Sequence, residues 1–314
     1  MRPSPVQRAL VLVAGDLLDR LCGDPPNTAH PVVLLGLAAR LGRSAAPASP
    51  AARRAYGVAL AVAIPMAAAA VAQGVQFAVR RSPIGSAGAG AVEAVLLSLA
   101  TSRWTLLARA GEVAVALEAD DLVEARRLLA YHLVSRDTSE LSVSEVAGAT
   151  IESVAENLHD GVIAPWCAAA IGGVAGAWSY RALNTLDSTW GYREPFLEEL
   201  GMGAARLDDL ANLVPARFSA ACIVLAAWRH EDAQGALRVW QAHAGRTASP
   251  NAGRPMAAMA GALGVTLTKR DHYTLGDGRE PVPADIERAC ELADAAAEMA
   301  LRLLVGALML KALR

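Results

Sequence analysis

Long uncharged runs of apolar residues alternate with short polar stretches along this chain. The longest run extends from Tyr56 to Val79 and has two arginines at each end. Because about 20 apolar residues are needed to cross the hydrocarbon core of a bilayer, this run predicts a membrane-spanning helix. A second uncharged run, Gly161–Tyr180, contains Pro165 and several glycines. It predicts either a span or a broken, re-entrant segment.

Shorter apolar stretches interrupted by charged residues extend the same pattern. These weaker candidates are Ala9–Leu18, Ile84–Thr101, Leu213–Trp228 and Ala295–Leu310. Together the runs predict an all-α, polytopic integral membrane protein with about four to six membrane-embedded helices. Helical periodicity outside the runs predicts a single membrane domain over residues 1–314, with an extramembrane helical segment near 103–160 and a C-terminal helix after residue 284.

Composition agrees with the pattern. Hydrophobic residues make up 54% of the chain and charged residues 19%, and the mean hydropathy is +0.31. A net charge of −2 gives no basic field for nucleic acid, so we expect no nucleic-acid partner. The cysteines are far apart and form no CxxC pair, which argues against structural zinc and a disulfide framework.

Polar chemistry concentrates in four stretches, of which the first is Gly23–Pro26 followed by His30. The prolines forbid helix continuation, so an ordered turn is expected here. Asp24 is a candidate for capping a helix or binding a cation. His30 is either a proton carrier or a hydrogen-bonded structural residue.

The second stretch, Ser135–Leu141, precedes a capping-box pattern at Ser142 and Glu145 that predicts a helix start. On that helix Glu152, Glu156 and Asp160 recur at a spacing of four residues, on one stripe. An acidic stripe without basic neighbours is either a hydrated surface or a site for a divalent cation.

The third stretch is rich in Asp, Asn and Arg and comprises Asn184–Thr189 and Ala205–Arg217. The fourth is a loop of Ser, Asn and Gly residues. Arg217 lies in an apolar run, where an uncompensated charge is costly, so a carboxylate or phosphate partner is expected. The loop Ser249–Gly253 precedes a helix of small residues. It is either a plain helix start or a phosphate site at a helix N-terminus.

Taken together, these stretches resemble the adenosylcobinamide-phosphate synthase family of cobalamin biosynthesis. The matching segments occur in family order: Asp16–Gly36, Ser135–Pro165, Ala182–Tyr192, Ala205–Arg217 and Ser249–Val265. The chain departs from the family pattern at Ser135, where glycine is common. Arg254 and Met256 stand where the family commonly has an aromatic residue and a glutamate.

The resemblance implies an activity: an amide is formed between the free propionate of a corrinoid substrate, adenosylcobyric acid, and aminopropanol or its O-phosphate. It also implies ATP and Mg²⁺, a multi-pass location in the cell (plasma) membrane, and possible association with other cobalamin-pathway enzymes. The chain contains no GxxxxGK[ST] sequence, so any ATP site is of another kind.

Roles follow for the polar residues as a hypothesis built on this resemblance. The Mg²⁺ ligands are drawn from Glu152, Glu156, Asp160, Asp187, Asp208 and Asp209. Phosphate or substrate groups are bound by Asp24, Arg136, Arg206, Arg217, Ser249, Asn251 and Gly253. Further catalytic-site members are Asp137, Asn157 and Asn184, with His30 as the general base and His159 as the alternative.

One topological difficulty and three rival functions stay open. If Gly161–Tyr180 crosses the bilayer fully, the acidic stripe before it and the aspartates after it emerge on opposite faces and cannot share one extramembrane site. They can share a site if the segment is re-entrant or if the site is a polar cavity in the membrane.

The rival functions are a membrane prenyl or phosphoalcohol transferase with clustered aspartates, a transporter, and a structural assembly partner.

Overall fold

A computed structural model describes residues 3–26, 28, 30–191 and 194–314, and in these ranges the chain is almost entirely helical. The helices are α1 (Pro5–Cys22), α2 (Val32–Ser44), α3 (Pro50–Arg81), α4 (Gly85–Ser98), α5 (Arg103–Glu118), α6 (Leu122–His132), α7 (Val143–Leu158), α8 (Ala164–Trp190), α9 (Pro195–His230), α10 (Ala233–His243), α11 (Gly253–Leu263) and α12 (Ala284–Ala312). A π turn (His159–Ile163) joins α7 to α8, and strands β1 (Leu267–Lys269) and β2 (Tyr273–Leu275) form a hairpin between α11 and α12.

Length and apolar composition make four helical segments of the described chain able to cross a membrane, which confirms the all-α, polytopic membrane architecture. They are Pro50–Arg81, Gly85–Glu118, Val143–Trp190 and Pro195–Arg229. The weaker candidates Ala9–Leu18 and Ala295–Leu310 lie in α1 and α12, which are not among the four.

The chain folds into two compact units. Unit 1 comprises residues 1–102, 164–212 and 303–314, and unit 2 comprises residues 103–163 and 213–302. Each unit is therefore built from segments that are distant in sequence, and α9 and α12 contribute to both.

In unit 1, Trp190 at the end of α8 is the centre of an apolar cluster. Its ring is fully buried, and its Nε1–H donates to the carbonyl of Ala39 in α2 at 3.1 Å. Ala61 of α3 and Leu200 of α9 belong to the same cluster. Elsewhere α3 exposes large apolar side chains such as Met66, as expected of a helix whose outer surface contacts lipid.

Helix α8 is broken at Gly173, inside the glycine-containing run for which a broken segment was one of the predictions. This residue has φ 65° and ψ −161°, a conformation that essentially only glycine adopts. The break releases carbonyls from the helical hydrogen-bond ladder. A guanidinium nitrogen of Arg8 donates to two of them, Ala170 at 2.7 Å and Ile171 at 2.8 Å.

Replacing Gly173 with alanine is expected to destabilise the protein by about 1–3 kcal/mol, the cost of an L residue in this backbone region. The matched control is Gly172→Ala, because Gly172 has no positive φ and no atom would contact its added Cβ. There we expect unchanged or slightly raised stability. Thermal unfolding in detergent measures both, and equal midpoints for the two variants would contradict the strained break.

Unit 2 is organised around α7 and α11, which are buried along nearly their whole length. Helix α10 packs closely on α11 because two glycines face each other: a Cβ on Gly261 would lie 2.3 Å from the carbonyl oxygen of Gly235. The hairpin pairs Lys269 with Tyr273 and Leu267 with Leu275. Both leucines are fully buried, which leaves Tyr273 at the turn end of β2.

Ion pairs connect the start of α12 to neighbouring segments of unit 2. Asp285 is fully buried and accepts hydrogen bonds from both terminal nitrogens of Arg279, at 2.6 and 2.7 Å. It also accepts from Arg288 at 2.6 Å and from the amide of Val282 at 2.9 Å. Arg288 in turn binds Glu231 beyond the end of α9.

Candidate functional site

A buried carboxylate on α7 is the centre of the candidate site in unit 2. Helix α7 begins with the predicted capping box, in which Ser142 and Glu145 satisfy each other's backbone amides. Glu152 lies further along and is 6% exposed. Its Oε2 is 3.5 Å from a guanidinium nitrogen of Arg136. Its Oε1 is buried and makes no hydrogen bond within the described residues. A buried carboxylate oxygen in this state is suited to a cation or a donor group on a ligand.

Tyr273 connects this carboxylate to the start of α11. Its hydroxyl interacts with Glu152 and lies 3.8 Å from the sulfur of Met256 in α11. Burial raises the pKa of the Tyr273 phenol above its usual value, and the negative charges of Glu152 and Glu156 raise it further. The phenol is therefore a neutral hydrogen-bond donor beside two carboxylates.

In the loop before α11, side-chain hydroxyl groups of the loop itself accept hydrogen bonds from three of its backbone amides. The Ser249 hydroxyl accepts from the amides of Asn251 and Ala252 at 3.2 and 3.4 Å, and Thr247 Oγ1 accepts from Gly253 at 3.1 Å. Ser249, Asn251 and Gly253 thus have a visible role in shaping the helix start. Local hydroxyl groups compete for such amides because they are always within reach.

Two arginines supply the positive charge at this helix start. Arg254 lies in the first turn of α11, and its Nε donates to Pro250 at 3.1 Å. Burial lowers the pKa of the Arg254 guanidinium, and the nearby positive charge of Arg217 lowers it further. Arg217 donates to the Leu213 carbonyl at 2.5 Å. No carboxylate pairs with either arginine in the described chain, so the pair is suited to a phosphate or carboxylate ligand.

Asp160 lies in the π turn that begins at His159, where the helical spacing changes. Its Oδ1 is 3.3 Å from Nε2 of His159. Nδ1 of this buried histidine is 3.2 Å from the Ser219 hydroxyl. π turns within helices are rare and often occur at functional sites, and this one orders a carboxylate–histidine–hydroxyl series.

Two predicted site members make local contacts in unit 2. Asn157 donates to the carbonyl and hydroxyl of Ser153, at 2.9 and 3.0 Å. Asp137 accepts from the Ser139 amide at 2.9 Å, and this bond lowers the pKa of the Asp137 carboxyl. Both contacts stabilise the backbone around Arg136 and Glu152, and any direct part in chemistry stays a prediction.

The aspartate motif of α9 forms a separate hydrogen-bonded series within unit 1. The Tyr180 hydroxyl donates to Oδ1 of Asn212 at 2.9 Å, and Nδ2 of Asn212 donates to Oδ2 of Asp208 at 2.8 Å. Asp208 and Asn212 are both buried. Neighbouring Asp209 is partly buried and Arg206 is exposed. The neutral side-chain amide of Asn212 therefore orients the carboxylate of Asp208.

The remaining predicted residues also belong to unit 1. His30 has Nε2 at 3.6 Å from Oδ1 of Asp24, and its Nδ1 accepts from the amide of Val32 at 3.2 Å. Asn184 and Asp187 are partly buried on α8. Tyr192, at the end of the matching segment Ala182–Tyr192, lies outside the described residues. A single pocket that combines residues of both units stays a prediction.

Within the described residues no group of three or more histidine, cysteine, aspartate or glutamate side chains has the geometry to hold a metal ion. Mg²⁺, however, usually takes only one or two carboxylates together with water and substrate phosphates. Glu152, with its buried Oε1, and Glu156 on the next turn fit that smaller requirement, and the wider pool of ligands stays a prediction.

Tyr273 and Arg254 are site residues that sequence reasoning missed. Tyr273 begins the short apolar–polar alternation Tyr273–Leu275, which follows a similar alternation over Val265–Thr268, and such alternation is a strand signal. Arg254 stands out in the sequence only as a departure from the family pattern. The signal for Arg254 in the sequence was a positive charge next to Pro255 at a predicted helix start.

Comparison with known proteins identifies relatives along nearly the whole chain. The family model described as CobD/Cbib protein matches residues 12–303. A protein of Mycobacterium tuberculosis (strain H37Rv) named cobalamin biosynthesis protein CobD is 40% identical over 300 residues, covering 91% of each chain. Proteins with the same name from Dehalococcoides mccartyi and Chromobacterium violaceum are 38% and 39% identical, covering 87% and 96% of this chain and 88% and 98% of their own. No solved structure matches.

Proposed function

Because the chain belongs to the CobD/Cbib protein family of cobalamin biosynthesis, we propose that it forms the amide between the free propionate of adenosylcobyric acid and aminopropanol or its O-phosphate. The product is adenosylcobinamide or its phosphate. The reaction is proposed to depend on ATP and Mg²⁺ and to take place in the cell (plasma) membrane. Association with other enzymes of the pathway is part of the same proposal.

The observations that carry the proposal lie in unit 2: the buried Glu152, whose Oε1 makes no hydrogen bond within the described residues, and two arginines, Arg217 and Arg254, that no carboxylate neutralises there. An unmodified carboxylate is a poor electrophile, so amide formation requires activation of the propionate. ATP would supply this activation by converting a carboxylate oxygen into a leaving group, and Mg²⁺ would neutralise phosphate charge. Carboxylates for the cation and guanidiniums for phosphate are the side chains that such chemistry needs.

Each residue of the unit 2 site has a role in this proposal. Glu152 and Glu156 hold Mg²⁺, and Arg217 and Arg254 bind phosphate oxygens at the start of α11. Arg136 balances Glu152, and the neutral hydroxyl of Tyr273 orients that carboxylate. These groups act by positioning and by compensating charge, which supply most of the catalysis in phosphoryl transfer.

Proton removal from the aminopropanol ammonium group requires a base that titrates near neutrality, for which histidine is suited. Two histidines each lie near a carboxylate: Nε2 of His30 is 3.6 Å from Asp24, and Nε2 of His159 is 3.3 Å from Asp160. His30 is the proposed base and His159 the alternative. Asp208, oriented through Asn212, is proposed as a further ligand or binding group.

The proposal is tested in a strain from which the gene has been deleted. Corrinoids extracted from the deletion strain are analysed by mass spectrometry, with and without the full chain supplied on a plasmid. We expect adenosylcobyric acid to accumulate without the chain and adenosylcobinamide or its phosphate to appear with it. Supplying aminopropanol or its phosphate to isolated membranes then identifies the amine substrate.

The same measurement separates the rival functions. A transporter would change the distribution of corrinoids between cells and medium without changing which corrinoids form. A prenyl or phosphoalcohol transferase would leave adenosylcobyric acid unaffected. Either result would overturn the amide-forming assignment.

A further inference from the structure

A large basic cavity opens in unit 1, among residues that have no part in the proposed reaction. Its volume is about 1210 Å³, and α1, the last turns of α3, the break in α8 and the end of α12 line it. Four cationic side chains line it, Arg8, Arg80, Arg81 and Lys311, and no acidic side chain does so within the described residues. A cavity lined by one sign of charge concentrates counter-ions of the other sign.

Only one of these cations is neutralised by a carboxylate in the described structure. Arg80 donates to Oε1 of the buried Glu93 at 2.7 Å. Arg81 stacks over the ring of Phe77 at 3.9 Å, and Arg8 binds the carbonyls released at the break in α8. No ion pair to a carboxylate is formed by Arg8, Arg81 or Lys311 in the described ranges. The cavity therefore retains an excess of positive charge.

Two buried donors at this cavity also lack an acceptor. Nε of Arg8 and Nε2 of Gln76 are buried from solvent and make no hydrogen bond within the described chain. Both residues line the cavity. Because a buried donor without an acceptor costs free energy, such groups point to an acceptor supplied by a ligand.

Position along α3 indicates where this ligand would meet the protein. The uncharged run of α3 ends at Val79, so Arg80 and Arg81 stand at the end of a helix that is long and apolar enough to cross a membrane. Phe77 and Ile171, which line the same cavity, are 58% and 83% exposed. Apolar and basic surface thus adjoin at the level of lipid headgroups, where basic pockets between membrane helices bind anionic headgroups.

We propose that this cavity binds a phosphate-bearing anion, supplied either by the headgroup of an anionic phospholipid or by a free phosphate compound. Phosphate oxygens accept from Arg81, Lys311 and the buried donors of Arg8 and Gln76. With a lipid, the adjoining apolar side chains contact the acyl chains. Bound ligand would also hold the N-terminal part of α1 against the broken helix α8.

The test uses the full chain purified in neutral detergent, with phosphatidylglycerol in mixed micelles as one probe and inorganic pyrophosphate as the other. Native mass spectrometry and the shift in thermal midpoint measure binding. We expect phosphatidylglycerol to bind and phosphatidylcholine not to. The double variant Arg81→Gln/Lys311→Gln should lose about tenfold or more in affinity, because two cations are removed. Arg40→Gln and Arg314→Gln, which lie outside the cavity lining, are the controls and should bind as the wild type does.

The two probes distinguish the sources of phosphate. Binding of phosphatidylglycerol that pyrophosphate does not displace assigns the cavity to lipid, and competition between them assigns it to a free phosphate compound. Failure of both probes to bind, or equal affinities in the double variant and the controls, would overturn the proposal. Neither result bears on amide formation, which is measured separately and is assigned to none of the residues that line the cavity.

Discussion

Glutamine in place of Glu156 or Glu152 is expected to reduce corrinoid amide formation by about 100-fold or more, the order of loss typical when a charge-stabilising group is removed from an active site. Glutamine keeps the size of glutamate and one oxygen acceptor but removes the negative charge. The affinity of the site for Mg²⁺ should also fall when the negative charge is removed, because hard cations prefer carboxylate oxygens. Product formation in membranes, measured as a function of Mg²⁺ concentration, checks both effects.

Glu145→Gln on the same helix is the matched control. Glu145 is partly exposed and pairs with the exposed Arg270. Glutamine is also suited to the third position of a capping box, so the helix start survives. This variant should retain nearly full activity. Wild-type turnover and unchanged Mg²⁺ dependence in both Glu152→Gln and Glu156→Gln would remove these carboxylates from the reaction.

The membrane architecture was predictable from sequence because hydrocarbon permits few backbone solutions. A long apolar run in lipid must satisfy its own backbone hydrogen bonds, so the length and apolarity of Tyr56–Val79 are sufficient to predict a helix. The position of the break in the second run was not predictable. Several glycines lie there, and only the packing around Gly173 selects the one with positive φ.

The candidate site was predictable where its signals are local. The capping box at Ser142 and Glu145 and the spacing of Glu152 and Glu156 depend on residues a few positions apart. The π turn that contains Asp160 has no clear local signature. The contact of Tyr273 with Glu152 and the effect of the Arg217 charge on Arg254 depend on tertiary packing between segments distant in sequence, so residue type alone could not pair them.

The largest expected loss of stability comes from Asp285→Asn in unit 2. Asparagine presents one acceptor oxygen and an NH₂ group to two guanidiniums, so Arg279 and Arg288 lose their common counter-charge. Breaking a buried ion pair typically costs 3–5 kcal/mol. Arg279 and Arg288 are 51% and 36% exposed, so solvent offsets part of this, and we expect about 3 kcal/mol. Thermal unfolding in detergent measures it.

The pH dependence gives this prediction a second readout. Burial alone would raise the pKa of the Asp285 carboxyl, but hydrogen bonds from Arg279, the Val282 amide and Arg288 together lower it below its ordinary value of 3.8. A lowered folded-state pKa contributes stability that is present above the unfolded-state value and is lost as pH falls through the folded-state value. The gap between wild type and Asp285→Asn should therefore be largest near neutrality and shrink below about pH 4.

Asp277→Asn provides the control for the same chemical change at the surface. Asp277 pairs with Arg238, and both side chains are more than half exposed. Solvent competes for both charges there, so little change in the unfolding midpoint is expected. If Asp285→Asn unfolds at the same temperature as this control, or if its deficit stays constant down to about pH 3, then burial of the charged network does not stabilise the start of α12.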